Sequence, residues 1–513
     1  MKRIDRSLIL RLWACLSVAL AFWSCDKFKD FEIPETGCYY NVLADGEHYL
    51  FYIDEITKQT GRGHYYTTVD GAISDRHQFE ATVMRKAISF KTDGETRKLS
   101  KGDVSWEKYV EPEFHVRDYA DLYKEPKYDV RITKNITYAS GEGYWSSLEG
   151  VEADATKALT EGYLNSFKKR HIKLDMDVYR PVGLPGRKPF ILFIHGGAFY
   201  VGSKDEPAYF DFCKYFASLG YVTASINYRL GFHVGKGAIE RAAYAAAQDA
   251  HAAMRFIVHY AETYGIDPDC LYIAGSSAGS ITALNVAFME DADRPKSSHG
   301  RGGIFRIDDM GPIDSAGNEL VDKFHVRALA NMWGAVSSLD ILENSNTAII
   351  SFHGDQDKVV PYNVGYPFES AGRAIASTLS DQMYGSVAID DKARQLGLKT
   401  EMHSFAGEGH ALNTTGPEKQ PNQNHEFIKE NITRFFYETM VPEEAAIKYV
   451  GDGVYSISDF VVGKVDWKVD GGFIVSRKDN QITVLWKADA PEHIVYASGE
   501  YAAGMGFNLH KEY

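Results

Sequence analysis

The chain has 513 residues, 44% of them hydrophobic and 25% charged, which excludes a disordered polymer and exceeds what one ordinary domain needs. Its net charge of -14 speaks against a nucleic-acid partner, because an acidic surface repels phosphate backbones. No apolar run reaches the ~20 residues of a membrane-spanning helix.

Taken in order, the chain begins with Lys2, Arg3, Arg6 and Arg11, then an apolar stretch over 12–23 that ends at Ser24-Cys25. A basic region, a short apolar region and a small residue before a cysteine resemble a bacterial lipoprotein signal. That resemblance implies removal of residues 1–24, lipidation of Cys25 and a lipid-anchored protein of the bacterial cell envelope, on the periplasmic or surface side of the outer membrane. Phe22 and Trp23 are bulky for such a signal, and plain secretion with Cys25 incidental is the alternative. Cleavage would remove four basic residues and one acid, leaving a more acidic chain. Residues 25–36 are polar and acidic and read as a tether. Cys38, Cys213 and Cys270 are odd in number and widely spaced, which is no disulfide framework and no metal cluster. Cys213 and Cys270 fall in helix-like and strand-like stretches and read as buried thiols.

From 37 to about 101 the pattern is β-rich. Aromatic and β-branched runs at 49–53, 64–69 and 78–84 alternate with the glycine turns at 61–63, 70–71 and 93–94. Residues 102–127 are charged, contain Pro112 and Pro126, and read as a linker.

An α/β rhythm occupies 128–445. Residues 171–179 alternate, as in an antiparallel strand. Continuous apolar runs at 189–194, 221–227, 270–273, 329–336 and 348–352 read as strands covered on both faces, with 400–405 the last strand. Helical stretches fall between them at 206–218, 238–264, 280–288 and 424–440. Strands alternating with helices predict a mostly parallel central sheet with helices on both faces. The polar, Gly-rich insertion at 289–326 reads as a lid, a binding loop or surface decoration. Residues 446–513 return to strands, at 464–469, 472–476, 481–486 and 493–496, with hairpin turns expected at Asp470-Gly471-Gly472 and Asp479-Asn480.

The chemistry concentrates in four loops of the α/β region. Gly275-Ser276-Ser277-Ala278-Gly279 sits between a strand and a helix, the context of a nucleophile elbow, with Ser277 as the nucleophile. A turn this sharp needs the small residues at 275, 278 and 279. His195-Gly196-Gly197-Ala198 follows an apolar strand, and its glycines allow backbone N–H groups to line a concavity. His353 to Pro361 follows another strand and offers Asp355 and Asp357 as the carboxylate. The His-Gly-x-x-Asp-x-x-Val-Pro spacing favours Asp357, with Asp355 capping the turn. Gly407-Glu408-Gly409-His410 follows the last strand, and His410 is third in the order Ser, Asp, His; His403 and His425 are the fallback bases. A serine hydroxyl is unreactive until a base takes its proton, and a carboxylate fixes the tautomer of that base.

These four stretches resemble the α/β-hydrolase superfamily. Within it, His-Gly-Gly-Ala-Phe-Tyr-Val-Gly is similar to bacterial carboxylesterases and to feruloyl- or acetyl-esterase-like enzymes. The resemblance covers about 130–440. It implies a serine esterase with a Ser277–His410–Asp357 triad, an acyl-enzyme intermediate and an oxyanion hole at Gly197, Ala198 and Ala278. It implies no cofactor and no metal, and small acyl esters or acylated carbohydrates, plant polysaccharide included, as substrates. Type-B carboxylesterases generally carry Glu in the elbow and as triad acid, where this chain has Ser276 and Asp357. A serine exopeptidase of the prolyl-oligopeptidase kind shares the triad order, but the chain shows a Gly-Gly-Ala loop and no blade repeat. A non-catalytic binding protein on a hydrolase fold would usually lack a triad member.

The flanking β segments carry no motif that points to a family. Each would form a small sheet that is marginal alone. They are expected to pack as one β domain, with Trp467, Trp486 and N-terminal tyrosines in a shared core; two independent modules are the alternative.

Overall fold

The computed structural model describes residues 35–513 except 45–46, 70–71, 74–76, 85–86, 93–94, 101–104, 117–121, 148–168, 233–236, 302–307, 417–418, 441–445, 458–460, 479 and 488–489. The signal-like segment and Cys25 lie outside the described residues. The chain divides into two compact units. One holds the described residues of Asp118–Glu443 and Glu500–Gly506. The other holds those before Asp118, of Glu444–Gly499 and of Phe507–Tyr513.

The first unit is built on eight strands: β1 (Val130–Gly143), β2 (Arg170–Pro181), β3 (Lys188–Ile194), β4 (Val222–Ile226), β5 (Ile266–Ser276), β6 (Val326–Met332), β7 (Ala348–Gly354) and β8 (Thr400–Phe405). Their order across the sheet is β1-β2-β4-β3-β5-β6-β7-β8. β2 runs antiparallel to β1 and β4, and the remaining pairs are parallel. Every residue of β3, β4 and β7 is buried, which is why these strands are apolar without alternation.

Helices α1 (Pro207–Leu219), α2 (Ala238–His259), α3 (Ala278–Phe288), α4 (Ser386–Gln395) and α5 (Gln423–Met440) belong to the same unit. α1 opens on a proline and closes at Gly220, whose φ of 117° lets its N–H reach back to the last turn. α2 turns Ala242, Ala246, Ala250, Ala253 and Ile257 into the core, a helical period on which small side chains allow close packing. The expected single helix over 238–264 is broken at Tyr260 (φ -101°, ψ 21°) and resumes as Ala261–Tyr264. The expected strand over 329–336 ends at Met332. Trp333, at φ 46°, turns the chain, and Ala335–Val336 pairs with a different strand. The sheet order, the antiparallel β2 and the flanking helices make this an α/β-hydrolase fold. Cys213 and Cys270 are buried and free, and burial pushes both thiols up, Cys270 to about 12.

The insertion at 289–326 is bound to α2. Gln248 Nε2 donates to the carbonyls of Met310 (2.8 Å) and Pro312 (3.1 Å), Tyr244 Oη to Gly311 (2.9 Å) and Arg255 to Ala316 (2.7 Å). Met289 and Ile313 pack with Tyr244 and Ala247 beneath it.

In the second unit an antiparallel sheet runs in the order Glu95–Ser100, Ala87–Thr92, His77–Met84, Thr60–Val69, Glu47–Ile56, Tyr39–Ala44, Ser105–Lys108. The stretch read as a linker over 102–127 therefore contains a sheet strand, Ser105–Lys108, which the charge of Glu107 and Lys108 concealed. The C-terminal segment forms two sheets. Gly472–Lys478 and Gln481–Trp486 make the expected hairpin. Gly471 instead joins strands of different sheets, and a Cβ there would lie 1.9 Å from the Glu492 carbonyl oxygen. Leu50 and Tyr66 share a buried cluster with Phe473 and Leu485, and the Tyr39 ring meets Phe473 at 4.9 Å. Trp486 stands apart from that cluster: it donates to Tyr455 Oη and stacks on His493.

Candidate active site

Four parallel strands of one sheet end on the same edge, so the loops that follow them converge. β3 leads into 195–198, β5 into Ser277, β7 into Asp357 and β8 into His410.

The turn at Ser277 is strained. Ser277 sits at φ 54°, ψ -122°, a conformation a side-chain-bearing residue adopts only when its surroundings force it. Its N–H donates to the Met332 carbonyl (2.9 Å), and its own carbonyl accepts from Ser280 and Ile281 and so starts α3. The hydroxyl is left facing the pocket, where His410 Nε2 lies 2.9 Å from Ser277 Oγ. On its other side His410 Nδ1 is 2.7 Å from Asp357 Oδ2.

Asp357 has no exposed side-chain surface. Burial raises the pKa of its carboxyl, but hydrogen bonds from His353, His410 and the Val359 N–H outweigh burial and hold it well below the ordinary carboxylate range. The acid is therefore ionised and acceptor-only, so His410 must present a proton on Nδ1 and a free Nε2 to the serine. Asp355 is exposed and accepts the Gly407 N–H (2.8 Å), tying down the loop that carries His410. His403 and His425 are engaged elsewhere, with Glu401 (2.6 Å) and Asp211 (2.9 Å).

Gly197, Ala198 and Phe199 occupy positive φ in succession (104°, 54° and 61°). That run presents Ala198 to the pocket wall beside Ser277 and Ala278. Gly197 holds the turn from behind. Its carbonyl accepts from Tyr200 and Val201, and a Cβ on it would lie 1.9 Å from the Val201 oxygen. Ala278 is the first residue of α3, where N–H groups have no partner within the helix and the helix dipole favours negative charge. His195 does not act as a base here. Burial pushes its imidazole pKa down, Nδ1 donates to the Gly196 carbonyl (2.8 Å), and the ring stacks on Tyr228 at 4.4 Å.

Two contacts carry no local sequence signal. Tyr209 of α1 is 2.6 Å from Ser276 Oγ, and burial keeps its phenol protonated. Gln248 fixes the insertion from ten residues into α2. A third group, His353, was visible in the His-Gly-x-x-Asp spacing, and it too bonds Asp357.

The pocket has a volume of about 190 Å³ and a mostly apolar wall that includes Phe199, Ile281, Val360, Phe368 and Met383. Met289 and Pro295 of the insertion line it as well, and Glu240 and Asp381 supply carboxylates. Among the described residues no group of three or more His, Cys, Asp or Glu side chains is placed to hold a metal ion.

Residues 176–337 match the BD-FAE family. That span contains the 195–198 loop and the elbow and stops before Asp357 and His410. The chain is similar to Gut esterase 1 of Caenorhabditis briggsae, 31% identical over 109 residues, which are 21% of this chain and 19% of that protein. It is also similar to the para-nitrobenzyl esterase of Bacillus subtilis (strain 168), 33% identical over 117 residues, 22% of this chain and 24% of that protein. The matches span between 17% and 35% of the length of the first three curated relatives. A solved esterase from Thermogutta terrifontis is 20% identical, covers 52% of this chain and 88% of its own, and superposes with a TM-score of 0.36.

Proposed function

We propose that this chain is a serine esterase that hydrolyses carboxylic esters through Ser277, His410 and Asp357. The observation that carries the reading is the unbroken line from Ser277 Oγ, which lines an apolar pocket, to His410 (2.9 Å) to Asp357 (2.7 Å).

His410 Nε2 takes the Ser277 proton as Oγ attacks the ester carbonyl carbon. The oxyanion that forms meets the backbone N–H groups of the 197–198 loop and of Ala278, each contributing a factor on the order of 10²–10³. Asp357 stabilises the imidazolium, which then protonates the leaving alkoxide. The C–O bond breaks and an acyl-Ser277 remains. Water, deprotonated by His410, attacks that acyl group and returns the serine.

The pocket suits a small acyl group, and its phenylalanines suit a flat one. Glu240 and Asp381 disfavour an anionic acyl group. Acylated carbohydrate, plant polysaccharide included, is the substrate class we favour, acted on by an enzyme held at the cell envelope through a lipid on Cys25.

The test is a panel of aryl acetates and butyrates, methyl ferulate, acetylated xylan and a proline peptide amide, with the parent and Ser277→Ala. Ester cleavage lost in Ser277→Ala supports the reading. Ser277→Ala within about tenfold of the parent, or amide cleaved in preference to ester, overturns it.

A further inference from the structure

We propose that His353 is a positioning residue that sets the basicity of His410, acting through the one carboxylate oxygen that both imidazoles share. The proposal rests on the esterase reading only in taking His410 as the base.

His353 is the penultimate residue of β7, four residues before Asp357, and neither side chain has exposed surface. Its Nε2 is 3.2 Å from Asp357 Oδ2, the same oxygen that His410 Nδ1 meets at 2.7 Å. The other oxygen, Oδ1, accepts the N–H groups of Val359 (2.7 Å) and Val360 (3.1 Å). His353 Nδ1 is 2.7 Å from Ser386 Oγ. Ser386 in turn accepts from Asn331 Nδ2 (3.0 Å), which also reaches Ser351 Oγ (3.0 Å). Asn331 Oδ1 accepts from Ser280 Oγ (2.6 Å) and from the Gly334 N–H (2.9 Å).

The proton positions follow from what each group can do. Asp357 is an acceptor only, so His353 carries its proton on Nε2. Its Nδ1 is then bare and accepts the Ser386 hydroxyl. Ser386 spends its proton there and accepts from Asn331. These bonds all hold with His353 neutral. The line begins at the acid and ends in α3, three residues past the nucleophile. It also ends at Gly334, two residues past the carbonyl that receives the Ser277 N–H.

Two N–H donors on one oxygen share its negative charge. The stronger the His353 bond, the less charge remains to stabilise a protonated His410. Removing the bond therefore makes His410 more basic. Among the described residues, the titratable groups that contact His353 are Asp357 and the Tyr362 ring, edge-on at 5.7 Å. Asp355 and Lys358 on the acid loop and Glu408 beside His410 are exposed, and solvent screens them.

The test follows the rate at which a fluorophosphonate labels Ser277 across a pH series, with kcat/KM for an aryl ester beside it. The parent is compared with His353→Leu, His353→Gln and Ser386→Ala. In His353→Leu the midpoint of the acid limb rises by about half a pH unit or more, with KM unchanged. His353→Gln, which can place an N–H near the lost Nε2, returns the midpoint toward the parent. Ser386→Ala, which leaves His353 without its Nδ1 partner, moves it in the Leu direction. Parental midpoints in both His353→Leu and Ser386→Ala overturn the proposal, as does equal behaviour of Leu and Gln. If the His353 variants do not fold, a parental midpoint in Ser386→Ala overturns it alone. A parent that is not labelled at all refutes the nucleophile, and with it the esterase reading on which this proposal stands.

Discussion

Gly279 and Ile194 meet backbone to backbone. A Cβ on Gly279 would lie 2.1 Å from the Ile194 carbonyl oxygen and 2.6 Å from that of His195. The helix that follows Ser277 thus rests directly on the end of β3, and the turn at Ser277 and the 195–198 loop are one packed object. Gly279→Ala inserts a methyl group where only backbone can give way. Overpacking of this kind costs about 1–3 kcal/mol, and the shift pushes Ala278 and Ala198 apart. Urea unfolding should show the loss of stability. Ester hydrolysis should fall by about tenfold or more through kcat. A variant with parental kcat would show that the contact is not needed.

Asp355 and Asp357 are two residues apart and do different things. Asp357→Asn would remove the charge that holds the His410 tautomer and should lower kcat by about 10⁴. Asp355→Asn should stay within about tenfold, since the amide oxygen can still accept the Gly407 N–H and only the charge of an exposed group is lost. His410→Ala combined with Ser277→Ala should be little worse than Ser277→Ala alone. Steady-state kinetics on an aryl ester reads all of these, and a damaging Asp355→Asn beside a mild Asp357→Asn would reverse the assignment.

Gln248 donates to three successive carbonyls, those of Met310, Gly311 and Pro312. Gln248→Leu leaves them without that donor and loosens the insertion that carries Met289 and Pro295 into the pocket wall. The expected result is a KM raised by about fivefold or more at nearly parental kcat, because no hydrogen bond joins Ser277 or His410 to the described residues of the insertion. A loss confined to kcat would show that the insertion shapes the catalytic groups instead.

Asp211 provides a pH dependence. Burial raises the pKa of its carboxyl, but hydrogen bonds from His425 and Lys429 outweigh this and bring it to about 2. A carboxylate whose folded pKa lies below its unfolded value near ~3.9 stabilises the fold fully above that value. The contribution fades as pH falls from about 4 toward 2. Asp211→Asn should lower the melting temperature at neutral pH and flatten its decline below about pH 4. Parallel melting curves for parent and variant through that window would contradict the assignment.

Cys25→Ser tests the anchor. The variant should move from the membrane fraction to the soluble fraction of the producing cells, and labelled palmitate should no longer enter the protein. Association with membranes that persists and still needs detergent for release would refute lipid attachment at Cys25.

What the sequence determined by itself was local. A turn as tight as that at Ser277 demands small neighbours, a strand covered on both faces demands an unbroken apolar run, and both demands are met within a few consecutive residues. That is why the elbow, the Gly196-Gly197 loop, the Asp357 loop and the alternation of strands and helices were legible. So was His353, four residues from Asp357, although not what it bonds. The tertiary structure decided whatever depends on residues far apart in the chain. The pairing of Ser105–Lys108 with Tyr39–Ala44, the corner at Gly471 and the break at Tyr260 are set by what packs against them. The bonds of Tyr209 to Ser276, of Asn331 to Ser386 and of Gln248 to the insertion join residues 67, 55 and 62 or more positions apart. A buried polar group takes whatever partner the fold brings to it, and no local pattern records which one that is.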